Sequence, residues 1–466
     1  MHAAIVWFRR DLRLSDNPAL NRAVESGLPI LPVYVVDELD SNGAARWWLH
    51  HSLASLRESL QSLGGGLKIL EGDPVTRLAE LAKAVDAEVI YCAHRYEAEA
   101  SGQLQCLRKS LPESVRLNAA HSALLTEPGS VVTGSGSVSK VFTPFYKAAT
   151  RQAFAEPETQ TPVQFHDAAK DDSTTVLDRL LPTLDWADGF SVDWTPGETA
   201  ARDRLNAAVR KSPDYGEMRD RPDLEGTSRL SPHMHFGEIS VRETWHRLSS
   251  VRDAEPLTRQ LFWRDFSYHL LVENPAMGWQ PLRSEFENFP WVDDDVLLNA
   301  WKTGQTGYPV VDAGMRQLWQ TGWMHNRVRM IVASFLVKHL LVPWQRGADW
   351  FLDTLLDADL ANNSAGWQWV AGCGTDATPY FRIFNPITQG KKFDVSGDYV
   401  RKFVPELASV PTKFIHDPWN ASADMLASSS IRLGEDYPYP IVDHQEARQR
   451  ALDAYQLSRD LLKSGA

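Results

Sequence analysis

Cysteine is scarce: Cys92, Cys106 and Cys373 are the only three in 466 residues, far apart and without a CxxC spacing. That excludes a disulfide framework and argues against a structural zinc site or an iron–sulfur cluster. The pairs His50–His51 and His233 with His235 have no carboxylate or cysteine at ligand spacing, so no metal is expected. Any redox chemistry must therefore come from an organic cofactor. Long apolar runs are also missing. No stretch approaches the roughly 20 apolar residues of a membrane span, and the opening MHAAIVWFRR reaches its charges after an apolar run too short for a secretory signal. The cytoplasm is the expected location. Positive charge is not in excess either. A net charge of −12 argues against coating nucleic acid through bulk charge, yet leaves room for a local arginine-lined face. No strand is followed by GxGxxG, which removes the usual nicotinamide site. The Gly64 to Gly66 run and TGSGS at 133 to 137 lack the context or lysine of a phosphate cradle and read as a turn and a linker.

Tryptophan, by contrast, is plentiful. Ten of the 17 lie between Trp263 and Trp369. Indole stacks well on bases and flavins, and it can relay an electron where no metal is available. Both uses need several tryptophans close together.

The chain is long enough for two cores, since single cores stop growing at roughly 250 to 300 residues, and 43% of it is hydrophobic. Short apolar, β-branched runs at 3 to 7, 30 to 36, 67 to 70 and 88 to 93 alternate with helical patterns, one of them at 44 to 63. This alternation predicts an α/β domain with a doubly wound parallel sheet over 1 to 130. Residues 131 to 197 read as a long linker: 127 to 140 are Gly/Ser-rich, and 156 to 197 show weak periodicity with scattered Pro, Asp and Thr. From 198 to 466 the patterns are helical, an all-α domain.

Three segments of that half carry candidate chemistry. In 314 to 344 the spacing of Trp323, Asn326, Arg327 and Met330 predicts one helix face that mixes stacking, amide, cation and thioether; aromatic core with a polar rim is the plainer alternative. Residues 355 to 386 bring Asp357, Asp359, Asn363, Trp367 and Trp369 within thirteen positions. TSRLSPHMHFG at 227 to 237 offers hydroxyls, amides and Arg229 suited to a pyrophosphate.

IVWFRRDLRLSDNPAL, EGTSRLSP, QLFWRDF, TGYPVVDAGMRQLWQTGWMHNRVRM and the 355 to 386 segment together resemble the DNA photolyase and cryptochrome family along the whole chain. Within it the sequence is most similar to the cyclobutane pyrimidine dimer photolyases. The FPW and DAGMRQLW phrasing is similar to the bacterial branch, class III, that neighbours plant cryptochromes.

The resemblance implies an antenna-binding α/β domain, a linker and a helical domain holding FAD in a U shape. Tyr215, Thr227, Ser228, Arg229, Leu230 and Ser231 would contact its phosphates and ribityl chain. Gln260, Trp263, Arg264, Trp323, Asn326, Arg329, Asp357, Ala358 and Asp359 would complete the pocket, with Arg329 and Asp357 as a buried ion pair. Asn363 would face flavin N5. Its amide can accept from a reduced flavin's N5–H but cannot readily supply a proton, whereas plant cryptochromes have Asp there. This favours repair over signalling, as does a chain that ends on one amphipathic helix.

The implied activity is that of a deoxyribodipyrimidine photo-lyase acting on UV-damaged DNA, as a monomer. Excited, reduced FADH⁻ would donate an electron to a flipped dimer, the ring would split, and the electron would return. A cryptochrome-like blue-light sensor is the alternative. Trp263 and Trp369 would flank the dimer, with Gln260, Asn326 and Met330 beside it. Photolyases for the (6-4) photoproduct carry a histidine pair where this chain has Asn326 and Met330. Gln260 departs from the Glu of many dimer photolyases, which implies a weaker electrophilic assist. Trp367, Trp344 and Trp291 match the family's electron relay, with Trp301 and Trp350 near enough in sequence to branch from it; Trp279, Trp301, Trp319 and Trp350 are core by default. Arg327, Arg382 and Lys392 would meet DNA phosphates. The expected antenna is 5,10-methenyltetrahydrofolate ahead of 8-hydroxy-deazaflavin. Because Glu99 and Ala100 replace the Asn and Glu of many folate-binding members, the expected place is against Trp47 and Trp48, whose alternative is helix packing.

Overall fold

A computed structural model describes residues 2–38, 43–132, 136, 139–170, 174–181, 186–376 and 381–464. Most of the TGSGS stretch lies outside them. The chain forms two compact units. The first comprises Met1–Gly216, Ser228–Pro275 and Leu356–Asp359; the second comprises Glu217–Thr227, Ala276–Leu355 and Leu360–Ala466.

The first unit is built on five parallel strands: β1 (Ala3–Phe8), β2 (Ile30–Val36), β3 (Lys68–Glu71), β4 (Ala87–Ala93) and β5 (Arg116–Ala120). Their order is β3-β2-β1-β4-β5, with Ile5 registered between Leu31 and Ile90. β1 and β2 are buried at every residue, as strands covered on both faces must be, and this is why they read as continuous apolar runs. β5 went unread in the sequence. It is an edge strand, RLNAA, whose residues are largely exposed or half-buried. Helices α1 (Pro18–Glu25), α2 (Gly43–Ser62), α3 (Pro74–Ala84) and α4 (Ala98–Ser110) cross between the strands. Asn17 and Asp73 cap α1 and α3, each followed by a proline at the first helical position. The Gly64 to Gly66 run is the turn between α2 and β3.

Two further helices of this unit are α5 (Phe142–Ala149), at the end of the Gly/Ser-rich stretch, and α6 (Glu255–Glu273). The start of that stretch is fastened to α6: Asp265 Oδ2 accepts from Thr126 N at 2.7 Å and from Thr126 Oγ1 at 2.9 Å. Burial pushes the Asp265 carboxyl up to about 7. Its unfolded value is near 4, so the folded state holds the extra proton between about 4 and about 7. This stabilisation is full below that window and is lost as pH rises through it. An Asp265→Asn protein lacks the effect. Its stability relative to the parent should therefore rise by about 4 kcal/mol from pH 4 to pH 7, measurable by urea unfolding at each pH; a flat difference would contradict the buried, proton-holding carboxyl.

The second unit is helical among its described residues. It includes α7 (Pro309–Thr321), α8 (Asn326–Ser334), a π-helical turn at Phe335–His339, α9 (Trp344–Thr354), α10 (Leu360–Ala371), α11 (Pro386–Phe393) and α12 (His444–Ser464). The single helix face expected for Trp323, Asn326, Arg327 and Met330 does not form. Gly322 takes a left-handed φ of 63° and ends α7, and the His325 side chain caps α8 by accepting from Arg327 N. Trp323 therefore lies in the connection, while Asn326, Arg327 and Met330 are in α8. No helix among the described residues is long and apolar enough to cross a membrane.

Candidate active site

In the first unit, Tyr215 packs against the apolar cluster that contains Leu230, Leu205 and Ile239, which brings the two ends of the expected phosphate segment onto one core. Between them Arg229 adopts φ 52°, a left-handed conformation unusual for a side chain of its size and a mark of functional segments. Its guanidinium lies 4.2 Å from the Trp194 ring centroid and 4.0 Å from Asp193 Oδ1. Ser228 is half-buried, and Ser231 is exposed as the first residue of the short helix Ser231–His235.

Helix α6 presents Gln260, Trp263 and Arg264. Gln260 Nε2 donates to Pro256 O at 2.9 Å, which folds the amide onto its own helix. Trp263 stacks face to face on Phe142, centroids 3.5 Å apart and planes at 6°. Arg264 donates to Ala123 O and lies 5.4 Å from the Tyr268 ring.

Asp357, Ala358 and Asp359 are all buried. The Asp359 carboxylate accepts from the Tyr268 hydroxyl and lies 3.5 Å from His235 Nδ1. Burial would raise this carboxyl. The neighbouring His235 imidazole and the hydrogen bond from Tyr268, with the nearby cationic charge of Arg264, outweigh burial and hold it below the ordinary carboxylate range. Burial also lowers His235 to about 4. Tyr268 and His235 were missed in the sequence. Tyr268 sits four residues after Arg264, on the same face of α6, so its place was readable.

In the second unit, Asn363 lies on α10 and its Nδ2 donates to Ala348 O at 3.0 Å. That engages one of its two amide hydrogens. Trp367, one turn further on, is 2% exposed, and its Nε1 is buried without a hydrogen-bond partner. Its ring neighbours are Phe351 at 5.1 Å and Trp301 at 6.2 Å. Gly347 makes this packing possible, because a Cβ there would clash with the edge of the Trp367 ring and with Leu336. Trp344 is fully buried, and Trp291 is half-buried with Phe289 at 4.3 Å. Trp350 stacks on Trp319 at 5.8 Å. Trp319 is 39% and Trp279 59% exposed, which corrects the expectation that these two are core; Trp301 is fully buried.

Trp323 is buried, with the Arg329 guanidinium 5.9 Å from its ring; Arg329 Nε donates to Met324 O at 2.8 Å. Trp369, Met330 and Thr227 are half-buried, and Asn326 is exposed. Arg327 and Lys392 approach Phe393 at 4.5 and 5.0 Å, and Asp220 binds Arg327 at 2.9 Å. Arg382 is exposed, 4.8 Å from Phe384.

Trp47 and Trp48 correct one expectation. Trp48 has no exposed surface: it donates to Glu238 Oε1 at 3.0 Å and packs among Trp194, His233 and Phe236, while Trp47 is nearly buried against Phe190 and His51. Neither leaves an open indole face for a folate, so both pack the core. Among the described residues no group of three or more His, Cys, Asp or Glu is placed to hold a metal ion.

These residues fit a flavin dinucleotide. Buried polar groups are normally satisfied, and the Trp367 indole N–H, buried without a hydrogen-bond partner, is a donor that a bound group could meet. A parallel α/β sheet and a helical flavin-binding region in one chain define a photolyase-type flavoprotein. Residues 4–163 match the DNA photolyase family, and residues 257–457 match the FAD binding domain of DNA photolyase. The chain is 46% identical to a deoxyribodipyrimidine photo-lyase of Agrobacterium fabrum, covering 97% of each, and 36% identical to Cryptochrome-1 of Arabidopsis thaliana, covering 97% of this chain and 70% of that protein. Its fold matches a class III photolyase structure from Agrobacterium tumefaciens with TM-score 0.93 at 45% identity, covering 99% and 98% of the two chains. A Synechocystis cryptochrome matches at 0.87 and 29% identity, covering 97% and 99%. The chain belongs to the DNA photolyase and cryptochrome family.

Proposed function

We propose that this chain is a light-driven DNA repair enzyme, a deoxyribodipyrimidine photo-lyase that splits cyclobutane pyrimidine dimers. The observation that carries the reading is Asn363. One of its amide hydrogens is held by Ala348 O, and an amide, unlike a carboxylic acid, has no readily transferred proton to offer a flavin radical. Reduced FAD, when bound and excited, supplies the electron that opens the cyclobutane ring and takes it back.

The chain's own residues bind, orient and exclude water. Hydroxyls and amides of 227 to 231 hold the phosphates. Trp263 and Trp369 stack on the flipped dimer. Extrusion costs only a few kcal/mol for a damaged base, while stacking returns roughly 1 to 3 kcal/mol per base. Met330 offers a polarizable contact and no proton. Gln260 has one amide proton left after its bond to Pro256 O, so it binds a lesion carbonyl with a weaker electrophilic assist than an acid. The functional division we propose is 1–130 for the antenna domain, 131–197 for the connector and 198–466 for the FAD domain. The enzyme acts as a monomer in the cytoplasm, with a folate antenna identifiable from the pigment released on denaturation.

Purified, reduced protein should remove dimers from an oligonucleotide under near-UV or blue light and leave them intact in the dark. Dimers that persist under light with FAD bound would leave the blue-light sensor reading in its place. Arg382 is assigned to DNA phosphate. Its change to Ala should weaken damaged and undamaged DNA alike and shallow the salt dependence by about one unit of slope; a loss confined to damaged DNA would remove that assignment.

A further inference from the structure

We infer that Phe142 is a positioning residue for Trp263: it fixes the plane of the lesion-facing indole and leaves DNA only one of its two faces. The inference rests on the reading of Trp263 as a wall of the lesion site. Phe142 is 1% exposed and covers one face of the indole at 3.5 Å with planes at 6°. Tyr146, one turn along α5, continues the ladder at 5.6 Å and 19°. Phe266 closes an edge, 5.8 Å from Phe142 and 6.0 Å from Trp263. The Arg259 guanidinium, one turn before Trp263 on α6, lies 5.3 Å from the Phe142 ring and 5.0 Å from that of Tyr146. The ladder is anchored at its outer end, where the Tyr146 hydroxyl donates to Glu255 Oε1 at 2.7 Å.

The Gly/Ser-rich stretch before α5 gains a purpose from this arrangement. Thr126 at its start is bonded to Asp265, two residues from Trp263, and Ser139 at its end donates to Val141 O at 2.8 Å. Phe142 follows three positions after Ser139 as the first residue of α5. A tryptophan held on one face by a buried ring has less rotamer freedom to lose when a base stacks on the other. Such preorganisation raises affinity for whatever stacks without adding a contact to it.

The test compares holoenzyme variants in the dark, by binding to dimer-containing and to undamaged oligonucleotide. Phe142→Leu keeps an apolar side chain but removes the plane. It should lower the preference for damaged DNA roughly three- to tenfold, the loss expected when one side chain must be ordered on binding. FAD content and binding to undamaged DNA should stay at the parent level. Phe142→Tyr keeps the ring and should restore the preference, which a merely space-filling role would not require. If Phe142→Leu does not fold, Phe142→Met makes the same comparison. Trp263→Ala is the control for the underlying reading. A Leu or Met variant that discriminates like the parent, while Trp263→Ala does not, overturns the positioning role. Unchanged discrimination in Trp263→Ala overturns the lesion-wall reading itself.

Discussion

Changing Trp367 to Phe should give a protein that binds FAD but no longer reduces it under light. Trp367 is 2% exposed and is wedged between Gly347, Phe351 and Trp301. Phenylalanine keeps an aromatic plane there and loses part of the volume, which costs about 1 to 3 kcal/mol from a stability of about 5 to 15 kcal/mol. The fold should therefore survive. A phenyl ring is much harder to oxidise than an indole, so the relay stops at its first member. Trp301 touches Trp367 itself, and a branch through it would lie behind the same first step. Loss at Trp367 should thus be complete, while Trp344→Phe should leave a slower residual rate through Trp301. Absorbance during illumination with an external reductant reads the rate. Dithionite-reduced Trp367→Phe should still repair dimers, which separates supplying electrons to the flavin from using them on DNA. Photoreduction at the parent rate would sink the relay.

Much of the fold was legible because burial writes directly into composition. β1, β2 and β4 read as apolar runs since both faces of their sheet are covered. β5 did not, because an edge strand with Arg116 and Asn118 has no such constraint. The helix face built on Trp323 failed for a local reason: Gly322 at a left-handed φ interrupts a run whose apolar spacing continues through it. The residue types of the site were legible through long motifs, but their orientation was not. Nothing in the sequence says that Asn363 gives an amide hydrogen to Ala348, or that Trp263 rests on a phenylalanine far earlier in the chain. Those facts depend on packing between elements distant in sequence, and periodicity carries no record of that.

Asp312 is the position where a single change should cost the most stability. It is fully buried on α7, and four donors converge on its carboxyl. Oδ1 accepts from Thr306 N at 2.8 Å and Thr306 Oγ1 at 2.6 Å; Oδ2 accepts from Gly307 N at 3.0 Å and the Tyr437 hydroxyl at 2.6 Å. One side chain thus ties the turn before α7 to a segment more than a hundred residues later. Asp312→Ala leaves at least three buried donors unsatisfied, at about 1 to 3 kcal/mol each. The sum approaches the whole stability of an ordinary domain, about 5 to 15 kcal/mol, so this variant should unfold near body temperature or fail to accumulate. Asp312→Asn can satisfy the donors on one side only, because its NH₂ group meets donors on the other; its urea midpoint should fall between those of the Ala variant and Tyr437→Phe, which removes one donor and exposes no backbone group. Burial pushes the Asp312 carboxyl up, and its hydrogen bonds from Thr306 and Tyr437 oppose that. The order of midpoints reports the balance. If Asp312→Asn proves as stable as Tyr437→Phe, the parent carboxyl carries a proton and one of these contacts runs in the reverse direction. If Asn falls well below Phe, the group is an anion held by its donors.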